Sequence, residues 1–233
     1  MSVKSSIIVA LDFPSRAEVV ALAEQLDPEH CRVKVGFQAF LNGGPHLLED
    51  LHDLGHEVFL DLKFHDIPNT VASACVAAAN QGVWMINVHA SGGERMLMAA
   101  REAIDRQNHQ PHLIAVTVLT STSAQEHLAM GYQNSVPEQV ASLASAAHRA
   151  GANGVVCSAQ EAELLRQDLG SEFLLVTPGI RPEGADAQDQ KRVVTPAQAI
   201  KNGSDYLVIG RPITQASDPM AALDKINVTI YRA

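Results

Sequence analysis

Residues 59–70 read FLDLKFHDIPNT. The run opens as an apolar, β-rich strand and closes as a helix entrance, with Pro68 suited to the first helical turn. Between the two lie three charges of alternating sign, Asp61, Lys63 and Asp66. Asp61 and Lys63 are two apart and therefore share one face of a strand. A strand that is apolar along its length and charged only where it stops ends at a pocket mouth.

The pattern recurs along the chain. Short apolar runs stand at 6–12, 31–36, 57–63, 84–90, 112–119, 154–158, 173–179 and 206–211. Each is too short for a buried helix and reads as a strand. Amphipathic stretches separate them. Ser15 and Glu18, then Ser135 and Glu138, have capping-box spacing. Leu47, Leu48, Leu51 and Leu54 form an apolar stripe that Gly55 can end, and Val71, Ala74, Cys75 and Ala78 follow Pro68. Thr195-Pro196 opens another helix that ends at Gly203. Eight strands alternating with helices predict a single-domain α/β fold over residues 1–233, a (β/α)8 TIM barrel. An open doubly wound sheet is the rival, and no G-x-G-x-x-G follows the first strand to favour it.

Composition narrows the function. The chain has 233 residues, 46% hydrophobic and 18% charged, enough for one substantial core with no linker-like stretch. No apolar run reaches the roughly 18 residues of a membrane helix. MSVKSSIIVALD reads as a first strand and not as a signal peptide. Cys31, Cys75 and Cys157 are odd in number and widely spaced, as reduced cytoplasmic thiols would be. A net charge of −9 argues against non-specific nucleic-acid binding, so a phosphate ligand must be captured by local groups.

In a barrel the chemistry sits at the C-terminal strand ends. Asp12 stands there on the first strand, Lys34 on the second, and Asp61 and Lys63 on the third. His89 ends the fourth, Thr120 and Ser121 the fifth, Thr177-Pro178-Gly179 the seventh and Gly210-Arg211 the eighth. Buried ion pairs stabilise poorly, so charges repeated at strand ends point to function. Neighbouring carboxylates keep the lysines protonated, and a protonated lysine can stabilise developing negative charge and then donate a proton.

The chain resembles the orotidine 5′-phosphate decarboxylases. The resemblance rests on ALDFP (10–14), KVG of the second strand, DLKFHDIPNTV, VTVLTS (116–121), TPGIRPEG (177–184) and IGRPIT (209–214), in family order over nearly the whole chain. D-x-K-x-x-D alone is shared with sister barrels; the longer motifs are more specific. The resemblance implies decarboxylation of orotidine 5′-phosphate to UMP, the last step of pyrimidine biosynthesis, with no metal and no organic cofactor. It implies that Lys63 protonates C6 of the pyrimidine and that Asp61 lies beside the departing carboxylate. Lys34 and Asp12 would hold ribose hydroxyls, with Lys34 also in the catalytic charged array that Asp66 would complete. Asp66, Ile67 and Thr70 would reach the partner's site in a homodimer.

Residues 180–194 form a long polar connection after the seventh strand, of a length that is uncommon unless functional. By resemblance it is a lid: Arg181 and Gln190 lie on it, Gln190 bridging phosphate and base, while Arg211 and the Gly210 amide hold the phosphate. Thr120 and Ser121 would meet the pyrimidine edge, and Ser123-x-x-Glu126 suggests a short helix walling it up to Gly131. His65 and His89 are read as structural, and Trp84 and the methionines as core. His46, His52 and His56 lack metal-binding spacing. Two rivals remain: a metal-dependent sugar-phosphate decarboxylase or epimerase of a sister barrel, and a non-catalytic phosphate sensor. The metal-using branch needs a Glu near the end of the second strand, where this chain has Val33-Lys34-Val35-Gly36.

Overall fold

The computed structural model describes residues 5–182 and 194–231, so Gln190 and most of the expected lid lie outside the described residues. Strands β1 (Ile7–Ala10), β2 (Arg32–Val35), β3 (Val58–Phe64), β4 (Met85–His89), β5 (His112–Val116), β6 (Gly154–Val156), β7 (Leu174–Thr177) and β8 (Tyr206–Ile209) pair in parallel in chain order. β8 returns to β1 and closes the barrel. Each strand falls inside one of the eight apolar runs except β3, which extends one residue past its run to Phe64.

The helices are α1 (Arg16–Ala23), α2 (Phe37–Asp53), α3 (Pro68–Ala79), α4 (Glu94–Asp105), α5 (Ala124–Ala129), α6 (Val136–Arg149), α7 (Ala162–Leu169), α8 (Pro196–Lys201), α9 (Arg211–Thr214) and α10 (Pro219–Tyr231). Both Ser123 and Ser135 make full capping boxes with Glu126 and Glu138. Pro68 occupies the first turn of α3, as expected. Among the described residues no helix is long and apolar enough to cross a membrane.

Strand alternation sorts the apolar residues into two clusters. Ile7, Val9, Val58, Leu60, Ile86, Leu113, Ala115 and Leu175 face the helices. Ile8, Phe59, Met85, Ile114 and Val176, one residue out of step, fill the barrel interior. The same inward parity carries upward to Lys34, Asp61, Asn87, Val116 and Val208. The strand starts close the other end. There the Arg32 guanidinium lies 4.3 Å from the Trp84 ring and 5.1 Å from that of Tyr206, and donates to Glu57 and to the Ser5 carbonyl.

Three expectations need correction. β5 stops at Val116, so Thr120 and Ser121 lie four and five residues beyond it. Both the backbone N–H and the hydroxyl of Thr117 turn to the Val156 carbonyl, and a tight turn follows, closed by Thr122 N–H on Leu119. The stripe at 47–54 is only the second half of α2. The first half begins at Phe37 and is set off by a kink at Gly44, φ 58°, immediately before Pro45. A residue before proline is driven out of helical geometry, and glycine accepts the alternative. The methionines are not uniformly core: Met85 and Met96 are buried, whereas Met98 and Met130 are exposed.

Where β6 meets β7, a Cβ on Gly154 would stand 2.1 Å from the Leu174 carbonyl oxygen. Backbone cannot yield there without opening the barrel. Gly154→Ala is expected to lower stability by about 3 kcal/mol, read as a lower urea midpoint with an unchanged slope.

Candidate active site

The mouth of the barrel holds two adjoining cavities. The inner one, about 300 Å³, is lined by Lys34, Asp61, Lys63, Asn87, Thr120 and Ser121 over an apolar floor that includes Phe59, Val116, Val156 and Val208. The outer one, about 500 Å³, is lined by Asp12, Lys34, Arg181, Gly210, Arg211, Thr214 and Gln215 among others. Lys34, Pro178 and Val208 border both, which makes them one continuous cleft.

At the centre is Asp61, 8% exposed. Its Oδ1 accepts from Lys63 Nζ at 2.6 Å and from Asn87 Nδ2 at 2.7 Å, and its Oδ2 lies 3.3 Å from Lys34 Nζ. Lys34 also donates to Asp12 Oδ1 at 3.0 Å. Burial opposes ionisation of Asp61, but the two ammoniums and the two hydrogen bonds outweigh it and hold its pKa below the usual carboxylate range. For Lys34, burial pulls the pKa down while Asp61 and Asp12 raise it further, and the net shift is upward. Gly36 leaves room for this array: a Cβ there would stand 3.2 Å from both Asp12 Oδ1 and Lys34 Nζ.

Lys63 occupies an unusual piece of backbone. Its φ is +47°, the only positive value outside glycine among the described residues. The β3–β4 register breaks around it, since Leu60 pairs with Ile86 and Phe64 with Val88. Three residues of β3 thus stand opposite Asn87 alone. The two-residue spacing of Asp61 and Lys63 brings their side chains together, but through this bulge and not along a regular strand. The Lys63 ammonium also sits 5.3 Å from the Phe37 ring.

In the outer cavity Arg181 is buried and donates to its own chain at the Ile180 carbonyl. Its pKa is lowered by burial and by the neighbouring Arg211, so two like charges face one space. That is the electrostatics of an anion site. Asp66, Ile67 and Thr70 are exposed and line neither cavity. Asp66 accepts from the Ile67 backbone N–H at 2.6 Å and, among the described residues, enters no ion pair. His89 is half-buried with its pKa lowered, first by burial and then by His65 and Lys63; its ring lies 5.4 Å from that of His65.

Residues 5–226 match the model of the family described as orotidine 5′-phosphate decarboxylase / HUMPS. The chain belongs to that family. It is 56% identical over 225 residues to the orotidine 5′-phosphate decarboxylase of Pseudoalteromonas atlantica, covering 96% of this chain and 97% of the relative. It is 57% identical over 221 residues to that of Chromohalobacter salexigens, covering 95% and 94%. Among solved structures, the orotidine 5′-phosphate decarboxylase of Lactobacillus acidophilus superposes with a TM-score of 0.85 at 40% identity, covering 96% of this chain and 98% of that one. Membership accounts for the motif order along the chain. Asn87 is the member of the charged centre that motif reading passes over, although a lone polar residue on the inward parity of WMINVHA marks it.

Removing Lys34 tests the energetics of this centre. The folded pKa of Asp61 lies below its unfolded value, so its stabilisation is present above about pH 3.9 and is lost as pH falls through the folded value. Lys34→Met leaves that carboxylate under-compensated, with an expected cost of about 3 kcal/mol at neutral pH. The cost narrows toward pH 4 as Asp61 in the variant takes up a proton. Urea unfolding of both proteins at pH 7 and pH 4.5 measures it.

Proposed function

We propose that this chain decarboxylates orotidine 5′-phosphate to UMP and carbon dioxide, with Lys63 delivering a proton to C6 of the pyrimidine and without metal or organic cofactor. One observation carries the reading. The Lys63 ammonium is tied to a buried, ionised Asp61 at the wall of a base-sized cavity that runs directly into a second cavity holding two arginines.

The C6–carboxylate bond breaks, carbon dioxide leaves neutral, and the electron pair stays on C6. No π-system delocalises that pair. A proton then passes from Lys63 Nζ to C6, and the neutral amine regains one from solvent. An ammonium about 4 Å from the carbanion at an effective dielectric near 20 contributes roughly 4 kcal/mol, about a thousandfold in rate. The remainder falls to preorganisation, since Lys34, Asp61 and Lys63 hold one another in place, and to binding energy from the phosphate. Asp61 beside the substrate carboxylate adds ground-state repulsion.

Arg181, Arg211 and the Gly210 amide take the phosphate in this reading. Asp12 and Lys34 take the ribose hydroxyls, where the two cavities join. Thr120 and Ser121 meet the pyrimidine edge. Gln190, assigned to bridge phosphate and base, lies outside the described residues. A cytoplasmic home fits the three free, buried cysteines.

The active unit is a homodimer in which Asp66, Ile67 and Thr70 complete the partner's site. Three features support it. Asp66 carries its charge three residues after Lys63 yet has no ion partner among the described residues of its own chain. Ile67 is 67% exposed at the entrance of α3. Phe37 and Leu41, one turn apart on α2, are 55% and 82% exposed. Large apolar side chains clustered near a site call for a covering surface.

Lys63→Ala is expected to abolish turnover and keep the fold, followed by the ultraviolet change as orotidylate is consumed in excess EDTA. Near-normal turnover would remove Lys63 as donor. Lys63→Ala and Asp66→Ala protomers, each inactive, should on equal mixing and exchange regain roughly a quarter of wild-type activity, because half the dimers rebuild one intact site. Confirmed exchange without recovery would remove Asp66 from the shared site.

A further inference from the structure

Asn87 has no part in the reading above, yet it is 1% exposed and sits at the point where β3 and β4 fall out of register. At the bulge the Lys63 N–H turns to a side chain. Asn87 Oδ1 accepts it at 2.7 Å, while Asn87 Nδ2 donates to Asp61 Oδ1 at 2.7 Å. The orientation of the carboxamide follows from chemistry: a backbone N–H can only donate and a carboxylate can only accept.

We propose that Asn87 is a positioning residue for decarboxylation, its carboxamide clamping the strained Lys63 backbone to the Asp61 carboxylate so that ammonium and carboxylate hold one fixed geometry. The inference rests on Lys63 being the proton donor.

The physical case has three parts. A non-glycine residue at positive φ costs about 1–3 kcal/mol and persists only where its surroundings over-determine it; the Asn87–Lys63 bond is that determinant. Asn87 and Lys63 donate to the same oxygen, Asp61 Oδ1, which fixes the carboxylate plane and draws charge from the oxygen that would otherwise compete for the Lys63 proton. Finally, merely capping a stray N–H would need an acceptor alone. The donor half of the amide is directed at the reacting centre, onto a carboxylate that two lysines already neutralise.

Asn87→Ala should lower kcat about 100-fold, the loss expected when a reacting group is misplaced by about an ångström. UMP lacks the departing carboxylate, so its affinity should stay within about threefold, and the thermal midpoint should fall by only a few degrees. Asn87→Asp supplies a second, near-isosteric arm. The groups facing this position are Asp61 and Lys63 on β3, Lys34 beyond them, and His89 two residues along β4. Beside Asp61 the introduced carboxyl has a raised pKa. Once protonated it can donate to Asp61 as the amide does. The ratio of variant to wild-type kcat should therefore rise about tenfold from pH 8 to pH 6. Dividing by wild type removes the titration of His89 and of the substrate phosphate.

Wild-type kcat in Asn87→Ala, or kcat, UMP affinity and thermal midpoint collapsing together, would overturn the proposal, as would a flat pH ratio in Asn87→Asp. If Asn87→Ala does not fold, the pH ratio of Asn87→Asp decides alone. Lys63→Ala assayed alongside separates the two readings. Turnover in that variant removes the donor itself, whereas a dead Lys63→Ala beside a fully active Asn87→Ala removes only the clamp.

Discussion

A carboxylate nearly withdrawn from water must be surrounded by donors, and the mouth of this barrel is arranged around that need. Asp61 receives Lys34 from β2, Lys63 from its own strand and Asn87 from β4. Three adjacent strands therefore have to hold their mutual register for one charge to be compensated. Such a cluster adds little net stability, because desolvation offsets most of the attraction. What it gives instead is a single geometry, with each donor fixed by the shared carboxylate.

The charge distribution runs against the composition. The chain carries a net charge of −9, yet Lys34, Lys63, Arg181 and Arg211 all border one cleft. An anion is repelled by the molecule at long range and attracted at close range, where the barrel walls exclude water and reduce screening. The cations are graded along the cleft. The lysines sit beside carboxylates at the inner cavity, while the arginines face each other at the outer one. The first arrangement suits a charge that appears during reaction and the second a charge that the ligand brings with it.

Most of this was legible in the sequence because it is written in short-range patterns. Short β-rich apolar runs located all eight strands, and Ser–Glu spacing located the caps of α5 and α6. The charged residues at the ends of the first, second, third and eighth runs marked the cleft. What escaped depends on contacts between distant segments. The end of β5 is set by the Val156 carbonyl, thirty-nine residues from Thr117. The first half of α2 hides because its exposed Phe37 and Leu41 break the amphipathic pattern. The positive φ of Lys63 and the bulge around it are tied to Asn87, on the next strand. Asn87 itself carries no charge and belongs to no motif, so only its parity within an apolar strand gives it away.

The far end of the barrel has its own consequence. Arg32, packed against both Trp84 and Tyr206 and tied to Glu57 and Ser5, stoppers the lumen below the layer of Ile8, Phe59, Met85, Ile114 and Val176. The cleft is a blind alley. Whatever enters must back out by the same doorway, and two fragments made from one molecule must queue for a common exit.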